Sequence, residues 1–267
     1  MSEAPTVFVL REQAMPIARR LQDALQCEIV TALGADTSAM QLFQETFHTR
    51  RSWILVMSTG IAVRFLAGLP HDKHTDPAVV VLDEGCHHAI ALLSGHEGGA
   101  NELAVKVANA VCAQPVISTA TESLRPLIIG IGCRRGVSAA DIAEAVSTAL
   151  GDRSLEDVRY IATVDIKKDE QGLLEYCEHH GIPLRIFSKQ AIAARGWVTK
   201  PSEWVQTAIG LDGVCEPCAL MCSPRGVLVV PKTTHNGVAV AVVDDALQPE
   251  DDDPIHDNAG IDKCVTH

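Results

Sequence analysis

The densest run of side chains able to bind a ligand or move a proton is Ser94-Gly95-His96-Glu97-Gly98-Gly99-Ala100-Asn101-Glu102, between an apolar strand-like stretch and a helical one. Glycines let a backbone approach a ligand closely, and a helix N-terminus offers unpaired N–H groups to an anion such as a carboxylate. Ser94, Gly95, Gly98, Gly99 and Asn101 are therefore candidate binding residues. A plain strand-to-helix turn would use the same glycines, and it is the company of Ser94, His96, Asn101 and Glu102 that favours a site. Ser58-Thr59-Gly60 ends a second strand-like run before a second helical one. Both turns are expected at the carboxyl edge of one sheet, where open α/β folds bind ligands, with a cleft between them. Asp83-Glu84-Gly85 follows a third strand and reads either as part of that edge or as an exposed hairpin turn.

These turns need strands and helices to hold them, and the chain alternates the two. Strands are expected at Thr6 to Leu10, Cys27 to Thr31, Trp53 to Met57, Ala78 to Leu82, Ala89 to Leu93 and Pro115 to Ser118. Helices are expected at Glu12 to Leu25, Ala39 to Thr46, Ile61 to Leu69 and Gly99 to Ala113, the first on a stripe of Ala14, Ile17, Ala18, Leu21 and Leu25. A second unit begins after Arg125-Pro126. It has strands at Leu127 to Gly132, Arg159 to Ile166, Leu184 to Phe187, Val227 to Val230 and Val238 to Val243. Its helices are Ala139 to Leu150, capped by Ser138, and Glu170 to His180, ended by Gly181. The alternation predicts two α/β domains, residues 1–124 and 125–244, each a mostly parallel sheet flanked by helices.

At 267 residues the chain suits two cores, and a content of 47% hydrophobic and 21% charged residues is enough to fill them. Only 4% of residues are aromatic, which disfavours base-stacking platforms and hence a nucleic-acid reader. The N-terminus does not resemble a signal peptide, and the apolar runs are too short to cross a bilayer. Nine unevenly spaced cysteines fit reduced thiols in a cytoplasmic protein, with Cys27 and Cys112 expected as small buried residues. Of the net charge of −12, eight acidic residues and one lysine fall between Asp244 and His267. Residues 245–267 are accordingly expected to form a solvated acidic tail.

Ser58 to Arg64, Lys73 to Gly85 and Ser94 to Glu102 resemble the N-terminal domain of CbiG proteins of cobalamin (vitamin B12) biosynthesis. Gly130-Ile131-Gly132-Cys133-Arg134-Arg135-Gly136, Ile161 to Lys167, Gly213 to Pro217 and Val230 to Thr233 resemble the CbiG C-terminal domain, which also occurs alone as the CobE-type protein. Family members usually carry a middle segment between the two. Here Thr119-Ala120-Thr121-Glu122 runs almost directly into Leu127.

The resemblance implies a cobalt-precorrin-5A hydrolase, which opens the ring-A δ-lactone of a corrinoid and releases acetaldehyde. Such a substrate carries its own cobalt, so no cofactor or protein-bound metal is expected. It also carries many carboxylates, which a net acidic protein must meet with local cations. Arg64, Arg134, Arg135, Lys167 and Lys232 lie in or beside the matched motifs, with Cys133 and Glu216 in the same stretches, and all are candidate substrate-binding residues beside Ser58, Thr59 and Gly60. Lactone opening needs an activated water. His96 is the candidate general base, Glu84 and Glu102 the alternatives, and backbone N–H groups at Gly98 and Gly99 could hold the oxyanion. Cys215-x-x-Cys218-x-x-x-Cys222 lacks a second ligand pair and reads as a helix carrying small buried residues. Beyond the corrinoid, the partners considered are neighbouring pathway enzymes and a second copy of the chain. A non-catalytic corrinoid carrier is the rival reading.

Overall fold

The computed structural model describes residues 4–195 and 197–246. In the first unit β1 (Thr6–Val9), β2 (Glu28–Thr31), β3 (Ser52–Val56), β4 (Ala78–Leu82), β5 (His88–Leu93) and β6 (Gln114–Val116) form a six-stranded sheet in the order β2-β1-β3-β4-β5-β6. The first four strands are parallel, whereas β5 runs antiparallel to β4 and β6 parallel to β5. Alternation along the strands sends Val7, Val9, Ile54 and Val56 to one face and Phe8, Trp53 and Leu55 to the other. Helices α1 (Met15–Leu25) and α4 (Ala100–Val111) cover the first face. The second is covered by α2 (Ala39–Thr46) and α3 (Thr59–Leu66) over an aromatic cluster of Phe8, Phe43, Phe47, Trp53 and Phe65.

A four-residue helix, α5 (Ala120–Ser123), leads into the second unit. There β7 (Leu127–Cys133), β8 (Val158–Val164), β9 (Leu184–Phe187), β10 (Val227–His235) and β11 (Val238–Asp244) pair in the order β10-β11-β7-β8-β9. β7, β8 and β9 are parallel, and β11 is antiparallel to β7. The helices are α6 (Ala139–Leu150), α7 (Gln171–His180), α8 (Lys189–Ala194), α9 (Glu203–Ile209) and α10 (Cys215–Met221). Ser138 and Asp141 form a reciprocal capping box at the start of α6. Gly181 ends α7 at φ 61°, a conformation that costs glycine least. Helix α10 lies so close to β7 that a Cβ at Gly130 would come within 1.8 Å of the Cys215 carbonyl oxygen.

Three expectations are corrected. Cys112 is exposed, because it is the left-handed C-cap of α4 at φ 63° and not a core position. The acidic tail does not begin at residue 245. β11 runs through Asp244, and the buried Asp245 ion-pairs with Arg159, donates its N–H to the Pro126 carbonyl and accepts from Arg225 through its own carbonyl. Residues 247–267 of that expected tail lie outside the described residues. Helices α8 and α9 occupy a stretch for which no element was expected. Among the described residues no helix is long and apolar enough to cross a membrane.

The two units meet along α4. The Asn109 side chain donates to the Leu184 carbonyl and accepts from Arg185 and from the Ile186 N–H, while Arg185 also donates to the Ala113 carbonyl. Just past the end of α4, Gln114 donates to the carbonyl of Cys222, which closes α10 at the end of the second sheet that holds Arg159 and Asp245.

Candidate functional site

The expected cleft between Ser58-Thr59-Gly60 and Ser94 to Glu102 does not form. β5 is antiparallel to β4, so Leu93 pairs with Val79 and the Ser94 turn emerges at the amino edge of the parallel strands. Ser58, Thr59 and Gly60 stand at the carboxyl edge, where Arg64 donates back to the Gly60 carbonyl at 3.3 Å and Glu84 pairs with Arg11 at 3.4 Å. Asp83 builds a hairpin turn, accepting from the backbone N–H groups of Gly85, His87 and His88. Two of the three candidate bases are thus set apart from the third. Glu102, exposed on α4, pairs with Lys106 at 2.7 Å.

At the amino edge the Ser94 turn builds a compact polar cluster. Ser94 takes a positive φ of 54°, and its carbonyl and that of Gly95 accept the N–H groups of Ala100 and Asn101. Those two helix-start donors are therefore already engaged. His96 Nδ1 lies 3.2 Å from Glu122 Oε1. An ionised carboxylate only accepts, so the proton in this contact sits on Nδ1 and leaves Nε2 free to take another. Glu122 also accepts from the hydroxyls of Thr119 and Thr121, and Asn101 donates to Thr119 Oγ1 at 2.8 Å. Burial by itself would raise the Glu122 carboxyl, but the hydrogen bonds from Thr119, Thr121 and His96 outweigh it and hold it below its ordinary value. Within this cluster Ser94 Oγ and Asn101 Oδ1 are buried and have no hydrogen-bond partner among the described residues, and their residues are only 7% and 8% exposed. Unpaired buried polar atoms are costly, which makes these two candidate contacts for a ligand.

A second place lies at the carboxyl edge of the second sheet. A cavity of about 610 Å³ opens there, and its lining comes entirely from residues 132–239. Cys133, Arg134 and Arg135 follow from β7, Ile166 and Lys167 from β8, and Lys232, His235 and Asn236 from the β10–β11 hairpin, with Trp204, Val205 and Ile209 of α9 forming an apolar wall. Among the described residues neither Arg134 nor Arg135 makes a salt bridge, although Arg135 lies near enough to Glu170 to help hold its carboxyl low. Lys167 pairs with Glu170 at 3.1 Å, and Glu170 also accepts the Gly136 N–H. Burial would raise the Glu170 carboxyl, yet the Gly136 N–H and Lys167 hold it low. Burial pushes the Cys133 thiol up to about 11, which keeps it protonated near neutral pH.

Glu216 is 1% exposed, and its carboxylate is taken up by the N–H and hydroxyl of Thr199 and by the N–H of Lys232. It ties the loop before α9 to β10 and so shapes the cavity from behind. Cys215, Cys218 and Cys222 are buried on or at the end of α10, as the sequence suggested, and burial raises all three thiols, Cys215 and Cys222 to about 12. Three residues escaped sequence reasoning. Glu122 lies 26 residues from His96 in sequence, and nothing in the local pattern links them. Trp204 sits on an unforeseen helix. His235 lines the cavity and pairs with Glu144 at 3.0 Å, through a contact 91 residues apart.

The models for the N-terminal and C-terminal parts of cobalamin synthesis protein G match residues 41–122 and 127–243. A protein of Priestia megaterium named cobalt-precorrin-5A hydrolase is 27% identical over 314 aligned positions, covering 80% of this chain and 83% of that one. A Salmonella typhimurium protein of the same name is 40% identical over 128 residues, 45% of this chain and 36% of its own length. Protein CobE of a Sinorhizobium species is 30% identical over 121 residues, 43% of this chain and 79% of CobE. The 314 positions exceed the 267 residues here, so the Priestia megaterium relative has residues with no counterpart in this chain. With one model matched in each of its two units, the chain belongs to the cobalamin synthesis G (CbiG) family.

Proposed function

We propose that this protein is a cobalt-precorrin-5A hydrolase that holds the macrocycle in the cavity of the second unit and opens its lactone with His96. The observation that carries this reading is the cavity itself, with Arg134, Arg135, Lys167 and Lys232 on its lining beside an apolar wall. That pattern complements a flat apolar ring fringed with carboxylates. The names of the relatives point the same way.

In this reading His96 Nε2 takes the proton of a water that adds to the lactone carbonyl, and Glu122 stabilises the imidazolium. The lactone C–O bond then breaks to give the carboxylic acid. The freed alkoxide collapses to acetaldehyde, and the broken carbon–carbon bond leaves its electron pair, then a proton, on the macrocycle. His96 is preferred over His235 because Glu122 is shielded from solvent and flanked by unpaired buried polar atoms, whereas Glu144, the partner of His235, is 64% exposed. Glu84, Ser58, Thr59, Gly60 and Arg64 lie at the far edge of the first sheet and take no part in this step. Cobalt arrives with the substrate, and no other cofactor is required.

The proposal includes a cytoplasmic location, receipt of substrate from neighbouring pathway enzymes and assembly as a homodimer, the last checked by sedimentation. The decisive experiment supplies purified cobalt-precorrin-5A and measures acetaldehyde. Stoichiometric release is expected. Binding without release would instead favour the carrier reading. Replacing Arg134 and Arg135 with alanine should mainly raise KM, because contacts to peripheral carboxylates contribute alike to ground and transition states.

A further inference from the structure

Trp204 is 62% exposed although it is one of only three tryptophans and lines the cavity. A large aromatic side chain left this open at a cavity wall has forgone most of the burial that normally stabilises it. It is also held in place. The segment before α9 is fastened by Thr199 to the buried Glu216 carboxylate, and Val198 packs against Gly213 so closely that a Cβ there would approach within 2.6 Å. Ser202 donates its N–H to the Asp212 carbonyl and caps α9 with its side chain. The exposed Ile166 lies on the same cavity lining. Arg134, Arg135 and Lys232 supply charge there, but charge alone would accept any polyanion.

We infer that Trp204 is the residue that selects a flat macrocycle, packing its indole on the face of the bound corrin ring while the arginines hold the ring's peripheral carboxylates. The inference rests on the proposed function and names the contact that distinguishes a tetrapyrrole from other polycarboxylates. A rigid aromatic side chain suits this role because stacking on a π face loses little conformational freedom.

The test uses the full chain and cobyrinic acid as the probe, with citrate as a polycarboxylate lacking a ring. Dissociation constants come from calorimetry. Tryptophan emission is followed in Trp197→Phe, which leaves Trp204 as the exposed emitter beside the buried Trp53. Cobyrinic acid should bind and quench this emission, and citrate should do neither. Trp204→Ala should bind cobyrinic acid at least about tenfold more weakly, and Trp204→Phe should recover most of that loss. Circular dichroism verifies that the variants fold. A parent protein that fails to bind cobyrinic acid, or a folded Trp204→Ala that binds it as tightly as the parent, overturns the inference. Acetaldehyde release is assayed on the same preparations. A parent that binds the ring through Trp204 but releases no acetaldehyde removes the hydrolase reading and leaves the Trp204 contact in place.

Discussion

Replacing Glu122 with glutamine keeps an oxygen within reach of His96 Nδ1 but removes the charge that would stabilise an imidazolium. We expect kcat to fall about 100-fold with KM little changed, at the low end of the roughly 100- to 10,000-fold loss expected for His96→Ala. The pH behaviour gives a second readout. A carboxyl held low in the folded protein adds stability that is present above its unfolded value and lost as pH falls through the depressed folded value. The His96–Glu122 pair should therefore persist through the ordinary carboxylate range and fail only in stronger acid, and carbon-detected NMR of the Glu122 carboxyl should place its transition there. At this scale the sequence was half legible. His96, Ser94 and Asn101 stand out because they crowd into one turn, but Glu122 could be joined to them only by the return of the chain after β6. Arg134 and Arg135 were visible as a motif, although their place on the cavity lining is a property of the fold.

Strand positions were read closely because apolar runs bounded by glycine and proline carry their own period: β4, β9, α2 and α6 fall where the pattern puts them. Direction is another matter. The run from Ala78 to Leu93 is two strands joined by the Asp83 turn, and hairpin and crossover differ in whether the chain reverses, which the apolar pattern does not record. That one reversal moved the Ser94 turn to the opposite edge from Ser58. Helices α8 and α9 were missed because they are short and, apart from Ile192, keep few of their residues in the core. Close packing of α10 on β7 yields a sharp expectation. Gly130→Ala places a methyl against the Cys215 carbonyl, so helix or strand must shift. The cost should reach about 3 kcal/mol or more, seen as a lower denaturation midpoint with an unchanged m value.

Across the whole molecule, two buried polar contacts tie distant parts of the chain together, the Arg159–Asp245 pair and the Arg185 junction. A chain ending at Val243 loses Asp245 and leaves Arg159 without its partner, whereas one ending at Ala246 keeps the pair. Removing one side of such a pair costs about 3–5 kcal/mol. The shorter chain should thus melt at least roughly 6 °C below the longer one by calorimetry. At the junction, Arg185 is 2% exposed and serves Asn109 and Ala113 of the first unit from a strand of the second. The covalent link between the units is equally direct, since Glu122 sits five residues before β7. The strap that joins the two halves is therefore also the strap that steers the imidazole. In the proposed mechanism, a tilt of one half on the other would carry Glu122 with it and cost His96 its aim.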